Sequence, residues 1–398
     1  MTHPVATSLA SIQRELSSFY LERRNMLEAQ ILGLLAKQHV FALGSPGTGK
    51  SAVTVDLCNR FPGSTYFESL LSRTRPEAAV LGPYDLPGLR DRGDFHRKIN
   101  GFLTTANLAF LDEIGKMSPT LGHDLLAILN ERVYHEVNGG RSMKHVPLYT
   151  AFTASNELIA DESDDAAALW DRLLVRVLVE SIQDNSNFAK LLASAVAAPH
   201  GAPAPQVTTI PWDDVADVVD NVVPTILLPG NILDNMIDLK NQLRQHEVYP
   251  SDRRWRQSIR VLQATAFMAG RVAVEEDDLY SLRYTLWDSP EHISTVERIT
   301  LGISNPTAEK MLEILDKAET ISAGVTQRRG QALEARAQYG AEVITKVKML
   351  MADLGKLRQD SIASGRSTTK LDEAAERVDH VKRQIYVECL DMPADRVK

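Results

Sequence analysis

The stretch Gly44-Ser45-Pro46-Gly47-Thr48-Gly49-Lys50-Ser51 constrains this chain more than any other. It matches the phosphate-loop pattern G-x-x-x-x-G-K-[S/T]. Each position has a physical job. Glycines let backbone N–H groups close around phosphates, Lys50 reaches the β and γ phosphates, and the Ser51 hydroxyl ligates Mg²⁺. The apolar run Val40-Phe41-Ala42-Leu43 reads as a buried strand entering the loop, and Lys50 to Arg60 as the helix leaving it, stopped by Pro62-Gly63. Strand, loop and helix in that order put a phosphate on a helix N-terminus. The expected fold class is therefore α/β, a parallel sheet flanked by helices.

Composition narrows the class further. At 398 residues, 44% hydrophobic and 24% charged, the chain has the make-up of a soluble protein with room for two or three domains. Cys58 and Cys389 are too few and too isolated for a disulfide framework or a thiolate metal site, which fits a reducing, cytoplasmic setting. The N-terminal stretch lacks a basic start followed by an apolar core, and no apolar run approaches the length of a membrane span. A net charge of −8 argues against a surface built mainly to grip nucleic acid. The ten histidines are scattered, so no zinc site is expected.

Ahead of the loop, apolar spacing over Ile12 to Leu35 predicts one or two helices, and beyond it Thr65-Tyr66-Phe67 is a short strand. In the Pro- and Gly-rich segment after Arg73, Pro87-Gly88-Leu89-Arg90 and Phe95-His96-Arg97-Lys98-Ile99 are expected to form a hairpin around Asp91-Arg92-Gly93-Asp94. Asn107 to Glu113 is an apolar strand ending in two carboxylates. Strand C-termini face the ligand crevice in an open parallel sheet. Asp112 would thus hold Mg²⁺, and Glu113 would orient and deprotonate the water attacking the γ-phosphate. A helix over Ser118 to Glu131 leads to a second predicted hairpin, Val133 to Val137, Asn138-Gly139-Gly140 and Met143 to Val146. Leu148 to Ala154 is a buried strand, and Asn156 beyond it would hold the attacking water beside the carboxylates.

Asp161 to Asp165 is an acidic loop. In Leu169 to Val179 two arginines interrupt an apolar run; Arg172 is the candidate arginine finger, given to a neighbouring subunit's nucleotide, and Arg176 is the rival. Leu192 to Ile210 reads as a linker, and Val215 to Leu243 and Ser251 to Tyr284 as helices, with Ser251 as an N-cap. Arg253 and Arg254 fall in the first turn, where cations oppose the helix dipole unless an anion faces them. From Thr307 onward, stripes through Met311 and Leu315, Val343 to Leu357, and Leu371 to Ile385 predict three packed helices.

The order of these parts, from Gly44 to Ser51 through Asp112-Glu113, Asn156 and Asp171-Arg172 to Ser251-Asp252-Arg253-Arg254, resembles the MoxR branch of the AAA+ ATPases. Phe110 to Ile114, Leu129-Asn130-Glu131-Arg132, Ala154-Ser155-Asn156-Glu157, Asp171 to Arg176 and Ser251 to Trp255 are similar to the RavA subgroup. The resemblance implies an N-terminal helix over 1–25, a P-loop AAA+ core over 26–190 and a linker over 191–212. An all-helical lid over 213–290 and a C-terminal helical arm over 291–398 would come next. It further implies a homo-oligomer, a hexameric ring with ATP between subunits, in which Lys50 and Ser51 meet phosphate and Mg²⁺. Asp112 and Glu113 would form the Walker B pair, Asn156 sensor 1, Arg172 the finger, and Arg253, with Arg254 as its rival, sensor 2. Its two hairpins would face a central pore and present Arg90, Arg92, Arg97, Arg141 and Lys144.

Family members act as chaperone-like remodellers beside a partner bearing a von Willebrand factor A domain. Longer RavA-type proteins graft a β-rich domain into the arm, where this chain has only the Ser364 to Lys370 loop. The expected function is ATP hydrolysis that remodels a protein partner. A nucleic-acid motor is the alternative; the basic hairpin residues permit it and the acidic net charge weighs against it.

Overall fold

The computed structural model describes residues 3–93, 96–138, 140–158, 164–196, 207–330, 332–363 and 368–392, in two compact units, Met1–Thr300 and Leu301–Lys398. The first unit opens with helices α1 (Pro4–Phe19) and α2 (Arg24–Leu35), strand β1 (Val40–Leu43) and helix α3 (Lys50–Cys58). Next come β2 (Tyr66–Leu70), α4 (Ala78–Leu81), α5 (Leu86–Arg92), β3 (Leu108–Asp112) and α6 (Pro119–Glu131). The pair β4 (Val133–Asn138) and β5 (Gly140–His145) leads to β6 (Thr150–Ser155), α7 (Asp164–Arg172), β7 (Val175–Leu178) and α8 (Asn185–Val196).

Strands in the order β2-β3-β6-β1-β7 form a wholly parallel sheet. β1 and β6 are buried at every position, and β3 at every position but Asp112, as a parallel sheet covered on both faces demands. Phe41, Leu111 and Ala151 of the sheet meet Leu121, Leu125 and Ile128 of α6 in one core. That helix forms where Ser118 accepts from the Leu121 N–H and Pro119 opens the first turn, and it ends at Arg132 in the left-handed region. Register aligns the strand ends. Leu43 lies opposite Ser155 and Asp112 opposite Ala154, so three strand C-termini open onto one edge.

The second expected hairpin is present as β4 and β5, antiparallel with Val133 opposite His145. The first is not a hairpin. Leu86–Arg92 is a helix, with Leu89 N–H donating to the Asp85 carbonyl and Gly93 N–H to the Leu89 carbonyl, and among the described residues an isolated bridge at Tyr84 and Arg97 joins the base. Pro87 is at home in a helix's first turn and Gly93, at φ 76°, supplies the left-handed cap, so residues read as turn signals start and stop a helix instead. Asp94 and Phe95 lie outside the described residues, as do 159–163, which take in the start of the acidic loop, and 197–206 of the expected linker.

The chain resumes with Thr208 N–H on the Glu15 carboxylate, then α9 (Trp212–Asp217), a π turn over Val218–Val222 and a 3-10 turn over Val223–Thr225. Helices α10 (Gly230–Gln245) and α11 (Asp252–Met268), a 3-10 segment over Glu276–Tyr284 and the first part of α12 (Ile293–Ser304) complete the unit. The two long helices expected over 215–243 and 251–284 are therefore broken. Pro224 and Pro229 interrupt the first, and Gly270, at φ 73°, closes the second. Ser251 does cap α11, accepting from the Arg254 N–H at 3.2 Å.

The second unit is the expected three-helix arm, α13 (Pro306–Gln327), α14 (Leu333–Ala363) and α15 (Thr369–Glu388). Met311 and Leu315, Val343 to Leu357, and Leu371 to Ile385 form its core. Residues 364–367 lie outside the described residues.

One buried group makes stability depend on pH. His39, just before β1, accepts the Ala151 N–H on Nδ1 at 2.9 Å, while Nε2 faces both the Leu129 carbonyl at 2.8 Å and the Arg132 guanidinium at 2.5 Å, so the neutral ring fits and the imidazolium, which cannot accept on Nδ1 and would stand beside a cation, does not. Burial first, then the Arg132 charge, holds its pKa well below the ordinary value. Below about pH 6.5 the unfolded chain takes up a proton that the folded chain refuses, so stability falls as pH falls, by up to about 1.4 kcal/mol per unit. Urea unfolding at pH 7.5 and 5.5 should lose about that much more in the parent chain than in His39→Gln.

Candidate functional site

Gly44 leaves β1 against β7, where a Cβ would stand 2.1 Å from the Val179 carbonyl, so only glycine fits. At the loop's other end Gly49 takes φ 81° directly before α3. The loop curls around Lys50, whose Nζ donates to the carbonyls of Gly44 at 2.6 Å and Ser45 at 2.9 Å. Lys50 is 8% exposed; burial lowers its pKa while Asp112 and Glu113 oppose the shift. Thr48 Oγ1 pins the loop by donating to the Ser45 carbonyl at 2.9 Å.

Directly across, Ser51 Oγ donates to Asp112 Oδ2 at 3.2 Å. Asp112 Oδ1 accepts the Glu113 N–H at 2.9 Å. Glu113 comes next with φ 53°, a left-handed conformation that aims its carboxylate away from the strand, and Lys116 Nζ pairs with it at 3.1 Å. Asn156 continues β6 beside both, since Gly44 N–H donates to the Ser155 carbonyl at 3.1 Å, and its buried Oδ1 has no hydrogen-bond partner. Lys50, Ser51, Asp112, Glu113 and Asn156 thus converge at the C-terminal edge of the sheet, with one acceptor left open.

Arg172 and Arg253 do not join them. Val175 of β7 lies opposite Val40 and Leu178 opposite Leu43, so Arg172, ahead of Val175, sits at the edge where β1 begins. The four residues of β7 span about 13 Å at ~3.3 Å each. There Asp171 accepts from Ser251 Oγ at 2.9 Å and meets Arg253 Nε at 3.6 Å, and Arg253 Nη2 donates to Asn130 Oδ1 at 2.6 Å. Arg172 gives Nη1 to the Ala168 carbonyl and keeps a buried Nε with no hydrogen-bond partner. Burial and then the Arg172 charge lower the pKa of Arg253, and Asp171 opposes them. Two guanidiniums around one carboxylate leave this corner short of negative charge.

The rival arginines are committed elsewhere. Arg176 is 0% exposed, stacks on Trp170 at 3.6 Å and donates to the carbonyls of Trp170, Leu173 and Trp287. Arg254 is 1% exposed and donates to Thr285 O at 2.9 Å. Both also reach Asp288 Oδ1, at 2.8 and 2.9 Å. Asp288→Ala leaves two buried cations without a counter-charge. Removing one partner of a buried pair costs about 3–5 kcal/mol, and water at the 41% exposed Asp288 side chain reduces this to about 2–4. Urea unfolding followed by tryptophan fluorescence should register the loss.

Of the basic residues expected to line a path, Arg97 is buried, donating to the Gly82 carbonyl and pairing with Glu77, so it cannot. Arg90 is exposed and pairs with Asp91. The side chains of Arg92 and Arg141 lie outside the described residues. Sequence reasoning did not find Lys116, Arg23, whose Nε donates to the Thr48 carbonyl, or the anchoring part of Asp171. Their contacts join segments far apart in the chain or depend on a local turn, and carry no spacing signal.

Residues 7–218 match the family described as the MoxR domain in the MoxR-vWA-beta-propeller ternary systems, and residues 231–300 match an AAA lid domain. An uncharacterized protein of Methanocaldococcus jannaschii is 32% identical over 383 residues, covering 95% of this chain and 96% of its own. A second from the same organism is 31% identical over 385 residues, covering 96% and 99%. A crystal structure from Cytophaga hutchinsonii, described as a candidate ATPase, matches in fold with a TM-score of 0.56 at 15% identity, covering 74% of this chain and 94% of its own. Among the described residues no helix is long and apolar enough to cross a membrane.

Proposed function

The chain belongs to the MoxR family of AAA+ ATPases, and on that premise we propose that it hydrolyses ATP at sites completed between neighbouring copies of itself and remodels a protein partner. One observation carries this reading. The phosphate loop with Asp112 and Glu113 stands at one edge of the sheet, and Arg172 with Arg253 at the other. A chain cannot bring its own Arg172 to its own loop; a second copy can, head to tail. In this reading Lys50 and the loop N–H groups of Gly47, Thr48 and Gly49 hold the phosphates. Glu113 deprotonates the attacking water, and the open Oδ1 of Asn156 accepts from it. Arg172 and Arg253 then meet the charge that develops on the neighbour's γ-phosphate.

Mg²⁺ suits the donor set, because the Ser51 hydroxyl and the Asp112 carboxylate, 3.2 Å apart, are the hard oxygen ligands that this ion takes. When bound it neutralises charge on the phosphate oxygens. The family's description names a vWA component, and we extend that to this chain as a partner bearing a von Willebrand factor A domain. A RavA-like, chaperone-type role in a cytoplasmic hexameric ring completes the reading.

The test is the ATPase rate of the purified chain, alone, with a vWA-domain protein, and with single- or double-stranded DNA, while light scattering reads the mass. Stimulation by the protein and growth of the assembly with ATP are expected. Stimulation by DNA that fades steeply with salt would instead establish a nucleic-acid motor.

A further inference from the structure

Behind the phosphate loop lies an arginine with no part in the proposed reaction. Arg23, the residue before α2, is 7% exposed, and its Nε donates to the Thr48 carbonyl at 2.8 Å while Nη1 donates to the Glu22 carbonyl at 2.9 Å. Among the described residues no carboxylate forms an ion pair with it, and the Glu22 charge only partly opposes the lowering of its pKa by burial. A buried guanidinium normally has an anionic partner, because carbonyl oxygens alone offset little of the cost of removing the charge from water. This one also repels the Lys50 ammonium. Two buried cations therefore meet loop carbonyls, Lys50 those of Gly44 and Ser45 and Arg23 that of Thr48.

The adjoining residue fixes the other wall. Glu22, at φ 59°, accepts the N–H groups of Gln183 at 2.8 Å and Asp184 at 3.1 Å and the Asn187 side-chain amide at 3.1 Å. Between the two grips is a cavity of about 120 Å³ whose lining includes Glu22, Arg23, Met26, Leu178, Val179 and Glu180. Val179 is the residue against which Gly44 packs, so this cavity adjoins the start of the loop.

We propose that Arg23 is a nucleotide-positioning residue, which holds the Thr48 carbonyl outward so that the loop N–H groups face the phosphates and whose positive charge, hydrogen-bonded to carbonyls and to no carboxylate, favours a polyphosphate in the loop. This rests on the ATP-binding reading of Lys50. A hydrogen bond to a charged group contributes about 1.5–3 kcal/mol, or roughly 10- to 150-fold in affinity.

Fluorescent ATP and ADP analogues are titrated into the full chain, and kcat and KM are read in parallel, for Arg23→Ala, Arg23→Lys and Lys50→Ala. Arg23→Ala should weaken both nucleotides by at least about 10-fold and raise KM to match, while kcat at saturating ATP falls less than about threefold. Arg23→Lys keeps the cation without the fork and should fall between Ala and the parent chain. A lowered kcat at unchanged KM marks partial unfolding and overturns the proposal, as does parental affinity in Arg23→Ala beside lost affinity in Lys50→Ala. Should Arg23→Ala not fold, Arg23→Lys decides: a KM equal to the parent's overturns it. Parental affinity in Lys50→Ala would overturn the nucleotide site itself.

Discussion

Glu113→Gln is expected to bind ATP with parental affinity and to turn it over at least about 100-fold more slowly, the lower end of what a positioned general base contributes. The substitution is nearly isosteric, so the backbone that sets φ at 53° and the Glu113 N–H bond to Asp112 are kept. What disappears is the carboxylate that can take a proton, together with its ion pair to Lys116. Binding would be tracked with a fluorescent analogue and chemistry by single-turnover hydrolysis, which separates the step from product release. Slow turnover with intact binding, and an assembly trapped in its ATP-bound form, is the outcome the assignment requires. Hydrolysis at the parental rate would remove Glu113 from the part of base.

The second large effect concerns the opposite edge of the sheet. Arg172→Ala should lower kcat by about 10³- to 10⁵-fold, as loss of an arginine finger does, with little change in ATP affinity. The side chain is tethered to its own helix through the Ala168 carbonyl and a 4.0 Å ion pair with Asp171, and its Nε is free of hydrogen bonds, so the fold depends on it less than the buried network depends on Arg176. Mixing supplies the sharper readout. In assemblies made from Arg172→Ala and Glu113→Gln copies, some interfaces join an intact Glu113 to an intact Arg172, and activity should return there although each variant alone is inactive. A mixture as inactive as its parts would show that the finger does not act between copies.

The phosphate loop and the Asp112-Glu113 strand end were legible because their chemistry is written in adjacent residues. Lys50 and Ser51 are joined, Asp112 and Glu113 are joined, and an apolar run announces each strand. The arm was legible for the same reason, since stripes at helical spacing need no partner outside the helix to be seen. Leu86–Arg92 was misread because Pro87 and Gly93 punctuate helices as readily as turns. The lid's helices were drawn too long because apolar spacing continues across Val218 to Val223 while Pro224 and Pro229 change the backbone path. Choosing between Arg172 and Arg176, or Arg253 and Arg254, was beyond a sequence reading. Each pair differs only in burial, which Trp170, Trp287 and Asp288 decide from up to 112 residues away.

Asp288 also makes the lid and the finger one mechanical part. A single carboxylate oxygen ties Arg176 of β7, four residues after Arg172, to Arg254 of the lid helix, and Ser251 and Arg253 of that helix grip Asp171. A lid so fastened transmits work in both directions. If Arg172 and Arg253 meet a neighbour's nucleotide as proposed, the free energy spent in drawing them toward it would reappear as the change in that nucleotide's affinity when the lid is displaced. On the proposed reading, a partner that pushes on the lid would edit the occupancy of the adjacent subunit.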